Sequence, residues 1–177
     1  MALQEDDHGP RGLHGPARPA GEGTVVGSWL KTRSRAHRAR PNYNWSYGTL
    51  KKRLDFKDIY GSGPNYARGV RAGNTLYISG TTAMRSDAQG GPAMAQLRVV
   101  LDRIVRMVKA EGGKPSDIVK LTTYVTNIGE WIPITDEQTK VYTDFFGKEF
   151  PTNAIIGIAG LGNPAVCVEI EAIAVLD

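Results

Sequence analysis

The spacing of apolar residues along the chain predicts alternating strands and helices over residues 54–177. Spacings of three and four predict two amphipathic helices, one from Pro92 to a stop at Gly112-Gly113 and one from the capping sequence at Thr135 to about Phe146. Period-two alternation predicts five strands, at about 66–70, 75–81, 118–127, 154–159 and 165–175. The order β-β-α-β-α-β-β predicts an α+β fold with both helices on one face of a single sheet.

The two faces of the last predicted strand differ in character, one being apolar and the other mixed. Alternate apolar residues are expected to face the helices, namely Val166, Val168, Ile170, Ala172 and Ala174. The other positions mix polar and apolar groups, namely Cys167, Glu169, Glu171, Ile173 and Val175. Strand 118–127 divides similarly, with Val119, Leu121 and Val125 on its apolar face. Such a mixed face is typical of a sheet covered in an oligomer, so we expect a closed, cyclic assembly; the alternative is a monomer with a solvated sheet face.

Charge divides the chain near residue 53. Residues 1–53 contain 10 Lys and Arg against 4 Asp and Glu, a net charge of +6, whereas residues 54–177 contain 12 against 14, a net charge of −2. Residues 1–23 are rich in Gly and Pro and poor in large apolar groups. We predict a basic, disordered N-terminal extension over residues 1–53 and a folded domain over residues 54–177. The extension is interpreted as a solvated tail; a nucleic-acid arm, or docking of its aromatic residues on the domain, is the alternative.

The composition also narrows the chemistry. A single cysteine, Cys167, fits a reducing compartment, and no apolar run is long enough to span a bilayer, so we expect a cytoplasmic protein without a membrane segment. All three histidines, His8, His14 and His37, lie in the predicted extension. The domain has no histidine for a Ser-His pair, a Cys-His pair or a zinc site. No nucleotide-binding fingerprint is visible, and we expect neither a metal nor another cofactor.

Glu169 is the strongest acid–base candidate in the domain. Burial of this carboxylate in an oligomer interface, close to Glu171, is expected to raise its pKa. A glutamate with a raised pKa can position a water molecule and carry its proton. The alternative is that Glu169 forms an ion pair across the interface. Cys167 has no base to activate it and is interpreted as a packing residue.

Several motifs, in order along the chain, resemble those of the Rid/YjgF family of small trimeric proteins. They are Pro64-Asn-Tyr66-Ala-Arg-Gly-Val-Arg-Ala-Gly-Asn74, Leu76-Tyr-Ile-Ser79-Gly80, Gly112-Gly-Lys-Pro-Ser-Asp-Ile-Val-Lys120, Tyr142-Thr-Asp-Phe-Phe146, Phe150-Pro151 and Val168-Glu-Ile-Glu-Ala-Ile-Ala174. The resemblance implies a chorismate-mutase-like fold and a homotrimer with three clefts between its subunits. It also implies hydrolysis of imines and enamines, such as 2-aminoacrylate, to a carbonyl compound and ammonia without a cofactor.

The resemblance assigns residues to this cleft. Tyr66 is expected to lie near the substrate, and Ser79 and Gly80 to supply polar and backbone contacts at the end of the second strand. Glu169 matches the glutamate that positions the attacking water, which agrees with its independent selection as an acid–base candidate.

Two positions depart from the family pattern. Asn153 stands where deaminating members carry an arginine that clamps the substrate carboxylate, and Thr139 stands where some members carry an asparagine. Ile155 is expected to belong to the same substrate-binding set. An amide cannot replace the bidentate guanidinium fork, so loss of the clamp is expected to lower the affinity for a carboxylate substrate by roughly 10- to 1,000-fold.

Three functions fit these observations. The first is hydrolysis of a reactive imine or enamine other than 2-aminoacrylate, either one without an α-carboxylate or one clamped by Arg68 or Arg85. The second is a non-catalytic trimer that binds a small ligand or another protein. The third is a ribonuclease, which the net charge of −2 and the absence of histidine over residues 54–177 disfavour. The expected partners are a small molecule and further copies of this chain, with nucleic acid bound, if at all, through the basic tail.

Overall fold

The computed structural model describes residues 51–177, so the predictions for residues 1–50 lie outside the described part of the chain. The described residues form β1 (Lys52–Leu54), α1 (Lys57–Tyr60), β2 (Gly69–Ala72), β3 (Thr75–Thr82), α2 (Ala93–Ala110), β4 (Ile118–Val125), α3 (Asp136–Phe146), β5 (Thr152–Gly157) and β6 (Val168–Val175). Short 3₁₀ turns occupy Pro115–Asp117 and Ile128–Glu130. The mixed sheet and its helices confirm the α+β class, and β1 and α1 precede the predicted elements.

All described strands belong to one sheet in the order β1-β2-β3-β6-β4-β5. Neighbouring strands are antiparallel except β4 and β5, which are parallel and are joined through α3. The last strand of the chain therefore lies inside the sheet, paired with β3 on one side and with β4 on the other. Because β6 carries Glu169, this carboxylate lies in the interior of the sheet and not at an edge.

The core lies between the helices and one face of the sheet. The apolar stripe of α2 is fully buried at Leu97, Leu101, Ile104 and Val108. Burial of a side chain of this size contributes about 1.5–3 kcal/mol, so the stripe holds α2 on the sheet. The predicted apolar face of β6 is also buried, at alternate positions from Val166 to Ala174. No helix among residues 51–177 is long and apolar enough to cross a lipid bilayer.

The other face of the sheet, called here the open face, is not covered by the helices of the described residues. It presents large apolar groups to solvent, including Tyr77 of β3, Ile156 of β5 and Val175 of β6. The mixed character expected for the alternate positions of β6 therefore extends to other strands of the sheet. Exposed apolar area of this kind favours burial against another surface.

Val119 does not lie on the buried face, contrary to the prediction. Ile118 pairs with Ala174 and Lys120 pairs with Ile173, so β4 has one extra residue at this point and forms a β-bulge. Val119 is that extra residue, and its side chain is exposed. Alternation alone could not reveal this, because a bulge reverses the facing of the residues on one side of it.

The first strands also differ from the predicted pattern. Strand β2 begins at Gly69, three residues later than expected, because the preceding residues form a loop in which the Arg68 amide donates to Ser62 Oγ at 3.0 Å. The pattern does not predict β1 because that strand contains one apolar residue, Leu54. Strand β1 is held by antiparallel pairing with β2 and begins at Lys52, inside the predicted extension.

Candidate functional site

Glu169 and Gly80 are in direct contact at an irregularity between β3 and β6. Ile78 pairs with Ala172 and Thr81 pairs with Ile170, so three steps along β3 match two along β6. A bulge of this kind changes the direction of nearby groups and is frequent next to active sites. A Cβ atom on residue 80 would lie 1.8 Å from Glu169 Oε1, so the carboxylate fits against the backbone only because residue 80 is glycine.

Tyr66 and Ser79 lie beside this contact. The Tyr66 ring is 48% exposed and stacks so closely on Gly63 that a Cβ atom there would lie 2.1 Å from the ring. The Tyr66 hydroxyl accepts a hydrogen bond from Arg68 Nη2 at 2.8 Å, and Arg68 Nη1 donates to the Gly80 carbonyl at 2.6 Å. Ser79 donates through its hydroxyl to the Ala67 carbonyl at 2.8 Å. The structure thus brings together Tyr66, Ser79, Gly80 and Glu169, called here the glutamate cluster.

The surroundings of Glu169 disfavour its ionised form. Burial raises the pKa of the Glu169 carboxyl, and the nearby Glu171 raises it further, whereas the positive charge of Arg68 partly offsets both effects. The hydroxyl of Tyr124 donates to Glu171 at 3.2 Å. Glu169 forms no ion pair with another of residues 51–177. A carboxyl of raised pKa can gain and lose a proton closer to neutral pH.

Asn153 occupies a different part of the structure, on the edge strand β5 against α3. Its Oδ1 accepts a hydrogen bond from Thr123 Oγ1 at 2.9 Å, and its Nδ2 donates to the Tyr142 hydroxyl at 3.1 Å. These bonds orient the amide, with oxygen towards β4 and nitrogen towards α3. Thr139 uses its hydroxyl to donate to the Thr135 carbonyl one turn earlier, at 3.0 Å.

Thr139, Asn153 and Ile155, called here the asparagine cluster, line a common cavity of about 250 Å³. Its other lining residues are Ile134, Gln138, Tyr142, Phe150 and Pro151, and no charged side chain of residues 51–177 lines it. Burial raises the pKa of the Tyr142 phenol, partly offset by its hydrogen bonds, so this group is neutral at physiological pH. Gln138 is buried, and its Oε1 has no partner among residues 51–177. The cavity suits an apolar, uncharged group better than an isolated carboxylate.

The glutamate and asparagine clusters lie on opposite faces of the sheet within one chain. Thr123 is buried on the helix side of β4, where it holds Asn153 and pairs with Ile155. Tyr124, the next residue, faces the other way and pairs with Glu169. The structure therefore brings together the members of each cluster, but one chain does not combine the two clusters in a single cleft.

The two arginines considered as replacement clamps differ in their placement. Arg85 is exposed and lies outside both clusters. Arg68 is only 1% exposed and reaches the backbone of Gly80 from inside the protein. Two further residues lie beside it, Tyr60 and Arg103. The sequence did not predict either of them as a site residue. No local pattern marks them, because they meet Arg68 only after α1 and α2 have packed.

Comparisons with known proteins agree with this architecture. A model of the endoribonuclease L-PSP family matches residues 60–176. A 2-iminobutanoate/2-iminopropanoate deaminase of Dermatophagoides farinae is 33% identical over 115 residues, covering 63% of this chain and 86% of the relative. The protein of the same name in Escherichia coli K12 is 34% identical over 112 residues, covering 62% and 86%. A crystal structure of a Mycobacterium tuberculosis member of the YjgF/YER057c/UK114 family matches with a TM-score of 0.58 and 30% identity, covering 72% of this chain and 100% of that one.

Fold and site together define a small α+β protein with a partly buried glutamate in the interior of its sheet. The family match covers well over half of the chain, and it includes every residue of both clusters. The chain belongs to the Rid/YjgF family, described by the endoribonuclease L-PSP model. The resemblance inferred from the sequence motifs is thereby confirmed.

Proposed function

We propose that this protein hydrolyses a reactive imine or enamine to a carbonyl compound and ammonia, without a cofactor, and that its substrate differs from 2-aminoacrylate. The observation that carries the proposal is the Glu169 carboxyl, partly buried against Gly80 and with a raised pKa. The relatives named as 2-iminobutanoate/2-iminopropanoate deaminases support the reaction class. The single cysteine favours a reducing compartment, so we propose that the reaction takes place in the cytoplasm.

Glu169 is proposed to act as the acid–base group. Its carboxylate accepts a proton from water while the water oxygen bonds to the imine carbon and the C=N π electrons move to nitrogen. The Glu169 carboxyl then gives this proton to the nitrogen. The Glu169 carboxylate next takes the hydroxyl proton of the resulting carbinolamine and passes it to the amino nitrogen, so that the C–N bond breaks, ammonia leaves and the carbonyl forms. One imine and one water give one carbonyl compound and one ammonia, and Glu169 ends in its starting state. A single group serves both directions of proton transfer best when its pKa is close to the operating pH.

The asparagine cluster is proposed to select the substrate. Asn153 is hydrogen-bonded to Thr123 and Tyr142, and no Lys or Arg among residues 51–177 lines the cavity around it. A carboxylate placed there would lose hydration without gaining a charged partner. We therefore propose a substrate that lacks the α-carboxylate or carries it elsewhere, with an apolar portion in this cavity.

We propose a homotrimer in which each cleft is shared between two subunits. Because the two clusters lie on opposite faces of one sheet, they can act on one molecule only if neighbouring copies contribute different clusters. The exposed Tyr77, Ile156 and Val175 of the open face support its burial against another copy. A non-catalytic trimer that binds an apolar ligand is the second candidate, favoured by the uncharged cavity.

The proposal is tested by measuring ammonia release from imines generated in situ, in pairs that differ only in an α-carboxylate. We expect turnover with at least one imine and a higher kcat/KM for the member without the carboxylate. Absence of ammonia release above the uncatalysed rate from every imine would overturn the hydrolase proposal. Saturable binding of the same compounds without turnover would then support the second candidate.

A further inference from the structure

Two buried arginines lie behind the glutamate cluster. The Arg68 guanidinium carbon is 4.2 Å from the centroid of the Tyr60 ring and 5.0 Å from that of Tyr66. The Arg103 guanidinium carbon is 4.3 Å from the same Tyr60 centroid. Arg68 is 1% exposed and Arg103 is 8% exposed. Each guanidinium therefore makes a cation–π contact with Tyr60 inside the protein.

Both arginines are bound by neutral groups. Arg68 donates to the Gly61 carbonyl through Nε at 3.1 Å and through Nη2 at 2.9 Å, besides its bonds to Gly80 and Tyr66. Arg103 donates to the carbonyl of Thr82. Neither forms an ion pair with an acidic side chain of residues 51–177. A buried charge without an ion-pair partner costs folding free energy, so the neutral groups and aromatic rings around these arginines must offset part of that cost.

The two arginines bind the part of β3 that faces Glu169. Arg68 holds the carbonyl of Gly80, and Arg103 holds that of Thr82, two residues further on. Thr82 pairs with Glu169 across the strands, and Gly80 contacts its carboxylate. The hydrogen bonds thus lie on both sides of Thr81, where the pairing of β3 with β6 resumes after the bulge. Tyr60 joins the arrangement through its hydroxyl, 2.9 Å from Thr82 Oγ1.

We propose that Arg68 is a positioning residue, supported by Tyr60 and Arg103, that holds Gly80 against the Glu169 carboxylate and keeps a positive charge beside it. The inference rests on the proposed function in one respect, the role of Glu169 as acid–base group. Arg68 itself is too buried to serve as the substrate clamp considered in the sequence analysis.

The charge of Arg68 counteracts other influences on Glu169. Glu171, on the same strand, raises the pKa of Glu169, and burial raises it more, whereas Arg68 lowers it. Tyr124 of β4 also lies near these carboxyls, and its pKa is raised by its hydrogen bond to Glu171 and by the negative charge of both glutamates. Tyr66 faces Arg68 from the other side. Removal of the Arg68 charge should therefore raise the pKa of Glu169 further and leave a smaller ionised fraction at neutral pH.

The test compares Arg68→Gln with the matched variant Arg103→Gln in the full-length protein. The titration of Glu169 is followed by the ¹³C shift of its carboxyl carbon, assigned with Glu169→Gln, and kcat is measured in parallel. We expect Arg68→Gln to move the Glu169 titration to higher pH and to lower kcat about 100-fold at pH 7. Arg103→Gln should shift the Glu169 titration less than Arg68→Gln does. An unchanged titration in Arg68→Gln, or equal shifts in both variants, would overturn the inference.

Arg68→Lys provides a second measurement if Arg68→Gln does not fold. Lysine keeps the charge but cannot bind Gly61, Gly80 and Tyr66 together. We expect Arg68→Lys to leave the Glu169 titration almost unchanged and to lower kcat. A clear shift of the Glu169 titration to higher pH in Arg68→Lys would contradict the charge effect. The titration needs no substrate, so it decides the inference even if no imine is hydrolysed, in which case the proposed function alone fails.

Discussion

The glutamate cluster and the asparagine cluster use polar groups in opposite ways. In the interior of the sheet, the Glu169 carboxyl is held against Gly80 with its ionisation disfavoured, and the buried charge of Arg68 lies nearby. At the edge strand, Asn153 is hydrogen-bonded to Thr123 and Tyr142, and the cavity it lines has no charged side chain from the described part of the chain. The glutamate cluster thus contains a buried ionisable group next to a buried charge, whereas the polar groups of the asparagine cluster are neutral.

In the proposed function, reactivity and substrate choice are carried by separate elements of the fold. Proton transfer requires a carboxyl whose pKa is shifted, and β6 supplies it from the interior of the sheet. The proposed recognition uses side chains of α3 and β5, and β5 does not pair with β6. We therefore propose that the asparagine at this position alters what is bound while the acid–base group remains.

The largest effect is expected from Glu169→Gln, which removes the proton acceptor but keeps the shape of the side chain. We expect kcat to fall about 10²- to 10⁴-fold, as is typical when a general acid–base group is lost. Glu171→Gln, two residues along the same strand, is the matched control and should lose far less. Ammonia release measured at saturating imine checks this, and equal losses in both variants would remove the distinction between the two carboxyls.

Asn153→Arg is expected to give the asparagine cluster a carboxylate clamp. A bidentate guanidinium should raise kcat/KM for 2-iminopropanoate, the imine tautomer of 2-aminoacrylate, by roughly 10- to 1,000-fold. Asn153→Lys supplies the charge without the fork and should gain less. The measurement is ammonia release with 2-aminoacrylate generated in situ. Failure of the arginine variant to gain activity, with its fold intact, would show that Asn153 does not determine this specificity.

Tyr77→Glu tests whether the open face is covered by another copy. A carboxylate in place of this exposed aromatic ring should weaken self-association tenfold or more, because the charge would be desolvated in the interface. Light scattering after gel filtration measures the mass of the assembly as a function of concentration. Lys109→Glu, at the exposed end of α2, is the control and should assemble normally. An unaltered trimer in Tyr77→Glu would contradict burial of this face.

The smallest effect concerns stability and its dependence on pH. Folding raises the pKa of Glu169, so ionisation of this carboxyl opposes folding, and the penalty appears as pH rises through the raised pKa. Glu169→Gln should therefore raise Tm by roughly 2 °C at pH 8, and the gain should disappear near pH 4 where the carboxyl is protonated. Thermal unfolding at both pH values checks this. A Tm difference between Glu169→Gln and the natural protein that grows as pH falls would contradict the predicted direction of the effect.

Much of the architecture could be predicted because it depends on neighbouring residues. The stripe of α2 and the alternation of β6 are local periodicities, and both are buried as expected. Glu169 was identified from this alternation and from the family motif independently. The position of Val119 could not be predicted, because the bulge in β4 depends on how that strand pairs with β6, about fifty residues later.

The sequence by itself determined most of the succession of elements and the two faces of β6, and its family resemblance singled out Asn153 as a departure from the expected arginine. Only the tertiary structure decided that Asn153 and Glu169 lie on opposite sheet faces and that Arg68 is buried beside Tyr60 and Arg103. The physical reason is that periodicity records whether a residue faces a core. Strand register and helix packing bring together residues far apart in the chain, and these long-range contacts decide which charges meet.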